Sequence, residues 1–431
     1  NIFSTSFFVD WLKFHYYMKS VYFTSFLLLF SLLANAQIVN VSNATELQNA
    51  LNAAAPGQTI TLANGTYSKS GGCTINAGVN GTAQSPITIK GNNNTIISSN
   101  STATGNGIWL KGNSYWILDG FTVYKSKKAI MLDSSFHCTV KNITVNYIGD
   151  EGIHLRKYSS YNLVENCYVD SVGIVSGPAG TAEGIYVGSA NGNWINYTYG
   201  NPDTCNYNII NANSFGDNIP SENIDIKEGT KGGTISNNIF NGKGLNGANY
   251  ADSWLDMKGS YYTIECNSGT TTLTDAYQTH VQIIGSGDYN TFTNNSSEAF
   301  SSNNYGINIQ TSSGGKTALN NIVCNNNTVK PGSKGLTNIS TTTCATNNCL
   351  STNISSINYN ILQLYPNPAA NYIEIISTEN IGQHSITDMF GKEVLQGNTN
   401  ANATTIDIGN LSSGLYFYRN SSQQNIKFIK E

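Results

Sequence analysis

The sequence predicts an all-β chain: a right-handed parallel β-helix with an N-terminal capping helix, followed by a small C-terminal β-sandwich. Three observations carry this. A short pattern of alternating apolar and variable residues ending in a Gly, Ser or Asn turn recurs as GIWLKGNS, AIMLDSS, GIHLRKYS, GIYVGSA, NIDIKEGT, WLDMKGS, HVQIIGSG and GINIQTSS. A second series, including VKNITV, VENCYV, ISNNIF, FTNNSS and CNNNTV, interleaves with it in fixed order. Beyond residue 350 both series stop and the texture changes. Repeats of about 20 to 50 residues, built of short strands and polar turns without helices between, describe a solenoid whose rungs share one continuous core.

Taken in order, residues 1–17 precede Met18 and read as an upstream extension. Residues 18–36, MKSVYFTSFLLLFSLLANA, combine a Lys, an apolar stretch from Val21 to Leu33 and small residues at the end. That is a secretory signal, too short in its apolar part to span a membrane, so no integral membrane segment is expected after its removal. Residues 37–350 form the β-helix domain. Near its start Asn43 and Glu46 make a capping box, with Leu47, Leu51 and Ala54 on one helical face that closes the end of the solenoid. The second series carries Asn142, Asn166, Asn213, Asn238, Asn267, Asn295 and Asn326, expected as one stacked structural column bonding the turn backbone. Residues 351–360 are a polar linker, and 361–431 the sandwich. Eight Cys are too few for a framework but fit an oxidising compartment, and Cys324 with Cys344 is the pair expected to bridge.

Composition narrows the partners. With 22 Lys+Arg against 26 Asp+Glu and a formal net charge of -4, no basic stripe exists for a nucleic acid. Only 11% of residues are charged, yet Glu222, Asp225, Lys227 and Glu228 crowd into SENIDIKEGT. In a β-helix, equivalent residues of successive rungs stack about 4.8 Å apart, and alternate residues face out. Aligning the first series gives one outward column of Trp109, Met131, His154, Tyr186, Asp225, Asp256, Gln282 and Asn308. The column two places on holds Lys111, Asp133, Arg156, Gly188, Lys227 and Lys258. Glu151, Glu183 and Glu222 form an acidic ladder just before the first column. Stacked like charges cost energy, so Asp225 over Asp256 and Lys227 over Lys258 call for a bound metal or an acidic substrate.

Such a face suits β-elimination of a uronic-acid polysaccharide. The proton next to the sugar carboxylate becomes acidic only when cations neutralise the developing charge, a task for Arg156, Lys258 or a calcium ion. Lys227 is the expected base. Surrounding carboxylates raise its pKa, so Ca²⁺ held by Glu222, Asp225, Asp256 and Glu183 is needed to reverse the local sign. Tyr186 or His154 would protonate the leaving oxygen. Tyr277, His280 and Gln282 are expected to line the next subsite, and the long rungs between Ile153 and Ile224 to select substrate.

Two resemblances attach to these residues. The stretch ATELQNALNAAAPGQTITLANGTY, the interleaved rungs, and an acidic residue five before a Lys with a basic residue on the next rung resemble pectate-lyase-like β-helix proteins of the chondroitinase B and alginate lyase type. The resemblance implies Glu222 as a calcium ligand, Lys227 as the base and Lys258 as the cation neutralising the carboxylate. YPNPAANYIEI, DMFGKEV and LSSGLYFY resemble the C-terminal sorting domain of type IX secretion, which implies that machinery as a partner and a secreted or cell-surface location. A monomer acting on an acidic polysaccharide is expected. Two alternatives stay open: a glycoside hydrolase using Asp225 and Asp256, and a noncatalytic glycan-binding adhesin with Trp109, Tyr186 and Trp194 as stacking platforms.

Overall fold

The computed structural model describes residues 37–92, 94–175, 182–298, 302–345, 349, 362–365, 368–377, 380–401, 403–421 and 425–431. The extension, the signal segment and the linker expected from the sequence fall outside these residues. The chain divides into two compact units, residues 1–350 and 351–431.

The first unit is a solenoid of three parallel sheets of 12, 10 and 10 strands. Each rung contributes one short strand to each sheet, and every strand hydrogen-bonds to its equivalents on adjacent rungs. Inward positions of the site-bearing sheet, Ile108, Ile130, Ile153, Ile185, Ile224 and Leu255, are all fully buried. Burying such side chains supplies about 1.5–3 kcal/mol each, the main return on ordering so many turns. Helix Ala44–Ala53 covers the first rungs with Leu47 and Leu51 buried. Its cap differs in one detail from the expected box: Asn43 Oδ1 accepts from Thr45 N and Glu46 N, while the Glu46 carboxylate reaches back one residue further, to Ser42 N at 2.8 Å. Among the described residues no helix is long and apolar enough to cross a membrane.

The Asn column is real but shifted at both ends. Inside the turn stand Asn213, Asn238, Asn267, Asn295 and Asn327, each amide bonding the next along the stack. The earlier rungs fill that place with Ile143 and Cys167, both buried. Asn142 and Asn166 sit one residue before it, exposed and at φ 55° and 50°, where Asn tolerates the left-handed corner. They form an outer chain with Asp119 instead. A second inner stack, Asn162 on Asn208 and Asn290 on Asn321, occupies another corner and was not anticipated. Two disulfides join Cys324 to Cys344, as expected, and Cys266 to Cys349.

The second unit packs a three-stranded antiparallel sheet on a four-stranded one. Ile373, Ile375, Ile386, Tyr418 and Phe428 form its core.

The two Asn columns give a direct stability prediction. Asn267 accepts from Asn238 N and donates to Ile235 O and Asn295 Oδ1, all buried. Asn267→Ala should cost about 2–4 kcal/mol, against less than about 1 kcal/mol for the exposed Asn142→Ala, as read by denaturant titration.

Candidate active site

The site grows from the sheet that begins at Cys73–Ile75 and ends at Gly335–Thr337. Its strands pair in parallel with Trp109, Met131, His154, Tyr186, Asp225 and Asp256 in register, which is the outward column expected. The column then departs from expectation. The next strand is Tyr277–Thr279, so Gln278, not Gln282, lies over Asp256 and under Asn308. An aromatic takes the inward place: the Tyr277 ring is fully buried against Trp254 and Phe240 and belongs to the core, not to a subsite. Gln282 is exposed in the turn that follows, its N–H bonded to Ser286 Oγ.

On the middle rungs the charges interlock. Lys258 Nζ donates to Asp225 Oδ1 at 3.0 Å and to Asp256 Oδ2, bridging the two stacked carboxylates. Lys227 Nζ lies 2.5 Å from Asp225 Oδ2 and 5.0 Å from the centre of the Tyr186 ring. His280 Nδ1 meets Asp256 Oδ1 at 2.7 Å. Burial alone would lower the pKa of Lys227, but Asp225, then Asp256 and Glu183, outweigh it and hold the ammonium well above its usual range. The same contest, won by Asp225 and Asp256, raises Lys258. Burial opposes ionisation of Asp256 too, yet Lys258 and His280 keep it low.

Beside this network Glu183, Glu222 and Asp225, all buried, bring carboxylate oxygens within 4.8 Å of one another. Burial and then the Asp225 charge push Glu183 up to about 7, and burial with Asp225 and Asp256 lifts Glu222 well above the carboxylate range. Three buried oxygen-donor side chains, two of them Glu that burial and the Asp225 charge keep from ionising, fit a hard divalent cation. Asp256 stands apart from this trio, committed to Lys258 and His280. Glu151, the first acid of the ladder, is paired with Lys128.

Two other expected residues are engaged elsewhere. The Arg156 guanidinium makes a bidentate pair with Asp133, at 2.9 and 3.0 Å, and stacks 4.0 Å from the Tyr197 ring. His154 is buried, its Nε2 3.0 Å from Gly188 O, and burial with Lys128 and Arg156 drives its pKa down to about 3. It is therefore a neutral imidazole whose Nε2–H is committed to the backbone, with no imidazolium proton to give near neutral pH. Tyr186 is half-buried; burial, then Asp225 and Glu183, raise its phenol well above the usual value, so it keeps its proton. Gly188 occupies the second column at φ +85°, and a Cβ there would meet Thr230 Cγ2 at 2.8 Å and Lys227 Cβ at 3.3 Å. Only glycine leaves Lys227 its room.

Tyr197 is not among the residues the sequence singles out, although the long rung that carries it is. That rung runs between residues 187 and 209 and is pinned where Asp203 accepts from Lys157 N, Tyr158 N and Ser189 Oγ. Trp194 anchors it through Nε1 to Ser189 O and is buried, not a platform. The unequal rung length was the available signal.

Residues 34–244 match the family model of the Pel9A-like right-handed β-helix region, and 363–431 that of the secretion system C-terminal sorting domain. Among solved structures, an alginate lyase from Paenibacillus sp. str. FPU-7 is 35% identical, covers 70% of this chain and 98% of its own, and has a TM-score of 0.64. The chain belongs to the Pel9A-like β-helix family of polysaccharide lyases. Pectate lyase Pel9A shares the fold at 17% identity, over 75% of this chain and 82% of its own, with a TM-score of 0.54. No curated protein matches by sequence. The sorting domain makes the lyase a secreted or cell-surface protein of the type IX route.

The raised Glu183 pKa predicts how the metal-free lyase responds to pH. An acid whose folded pKa exceeds its unfolded value, about 4.5, binds more protons when folded. Its contribution is therefore fully present below that value and is lost as pH rises to about 7. In chelator, wild type should lose about 2–3 kcal/mol between these limits relative to Glu183→Gln, measured as the difference of their unfolding curves across pH.

Proposed function

We propose that this lyase cleaves a uronate polysaccharide by β-elimination, with Lys227 as base, Tyr186 as proton donor and calcium at the carboxylate trio. The observation that supports it is the juxtaposition of Lys227 with Tyr186 on one side and with Asp225, shared with that trio, on the other. The Paenibacillus relative is an alginate lyase, which makes alginate the first polymer to test.

Glu183, Glu222 and Asp225 would hold the calcium ion, which supplies positive charge that offsets Asp225 and attracts the substrate carboxylate. With Asp225 so engaged, Lys227 would lose the strongest of the partners that raise its pKa and could take the proton next to the sugar carboxylate. Lys258, fixed between Asp225 and Asp256, places a second cation on the adjacent rung for the charge that develops. Tyr186 keeps its proton until the leaving oxygen needs it. Arg156, paired with Asp133 and covered by Tyr197, orders the wall of the groove. A hydrolase reading has less support, because Asp225 and Asp256 are tied together through Lys258 and neither is free to act as acid or base. In the same reading residues 18–36 are removed on export, and 351–360 link the lyase domain to the sorting domain.

On alginate, the wild type should generate the ultraviolet absorbance of unsaturated uronate ends, and Lys227→Ala should lower kcat by about 10³-fold with folding intact. Chelation should abolish the signal and added Ca²⁺ restore it. New reducing ends without that absorbance, or full activity of Lys227→Ala, would overturn the reading.

A further inference from the structure

Beyond the charged rungs the same column turns neutral. Gln278 and Asn308 follow Asp256 in register, two rungs or about 10 Å further along. Here a cleft of about 370 Å³ opens, lined by Asp252, Gln278, His280, Asn308 and Gln310 among others.

The orientation of its amides is fixed by their neighbours. Gln278 Nε2 donates to Asp252 Oδ1 at 3.0 Å and to Thr274 Oγ1 at 2.9 Å, and Asn308 Nδ2 donates to Asp275 Oδ2 at 2.7 Å. Carboxylates accept only, so the amide nitrogens must face Asp252 and Asp275. What Gln278 and Asn308 have left for the cleft is carbonyl oxygen. Gln310 is held the other way, its Oε1 accepting from Val281 N at 2.9 Å, so it offers its NH₂. No Lys or Arg lines this cleft, among the described residues, and the imidazole of His280 is already paired through Nδ1 with Asp256 at 2.7 Å. Two amide acceptors, one amide donor and a carboxylate complement sugar hydroxyls, which both donate and accept, and disfavour a sugar carboxylate, which only accepts.

We infer that this cleft is a specificity subsite that holds a neighbouring sugar of the polymer by its hydroxyls, with that sugar's carboxylate turned away from the sheet. The lyase would then favour chains whose adjacent carboxylates point to opposite sides: one towards Lys258, the next towards solvent. This rests on the reading that the cleaved uronate lies on the Lys227 and Lys258 rungs.

The test compares wild type with Asn308→Ala and Gln310→Ala on sodium alginate, at low salt and at about 0.5 M NaCl. Each variant should raise KM about three- to tenfold with kcat within about twofold, and the ratio to wild type should persist at high salt. An unchanged KM in both variants, in protein with the wild-type unfolding midpoint, overturns the proposal. So does a KM effect that vanishes at high salt, since only a bound carboxylate would be screened away. Because Asn308 also bonds Asp275, Gln310→Ala is the arm that decides if Asn308→Ala unfolds. Lys227→Ala assayed alongside separates the two claims: if it stays active while the KM effects hold, the base assignment fails and the subsite stands.

Discussion

Everything distinctive in this protein follows from strand register. Parallel strands about 4.8 Å apart place each outward residue directly over its equivalent on the next rung, with no freedom to slide while the inward Ile and Leu column stays buried. Asp225 and Asp256 cannot avoid one another, nor can Glu183 and Glu222. The chain answers part of this repulsion with its own cations. Lys258 is inserted between the two Asp, Lys227 meets Asp225, and Lys128 neutralises Glu151. Among the described residues Glu183 and Glu222 find no such partner: burial, and then the charge of Asp225, raise the pKa of both. The crowding of acids is thus a consequence of the solenoid, produced by stacking acids faster than bases.

The same register explains what was legible in the sequence. Alternation marks the outward residues, and the repeat aligns them, so the column from Trp109 to Asp256 and the interlocked pair of Lys could be assembled without coordinates. The reading slipped where a rung broke the pattern. At HVQIIGSG the apolar residues belong to a turn, while the inward place is taken by Tyr277, whose hydroxyl hid it among polar candidates. The Asn column slipped by one residue at Asn142, Asn166 and Asn326, because adjacent corner positions both favour Asn for different reasons: one accepts a left-handed backbone, the other needs a buried amide.

What periodicity cannot show is how side chains share partners. Arg156 looked like a free cation on the substrate face, but Asp133 on the previous rung claims both of its forks and Tyr197 covers it. His154 looked like a proton donor, but it lies under Tyr186 and donates to Gly188 O. Tyr197 and Asp203 sit in a long insertion with no repeat, so rung length marks the insertion but no alignment singles out these two residues. The resulting face runs from aromatic and paired charge, through the carboxylate trio with Lys227 and Lys258, to an amide-lined cleft. That gradient along one sheet is what a polymer with one reacting sugar and several bound neighbours requires.

The central claim is that Glu183 and Glu222 give up protons to a divalent cation that they hold together with Asp225, and that this cation controls Lys227. Calorimetric titration of calcium into metal-free protein near pH 6.5, repeated in buffers of different ionisation enthalpy, counts the protons released on binding. The account predicts binding with release of about one proton or more, lost in Glu222→Gln. Absence of calcium binding, or binding without proton release, would contradict it.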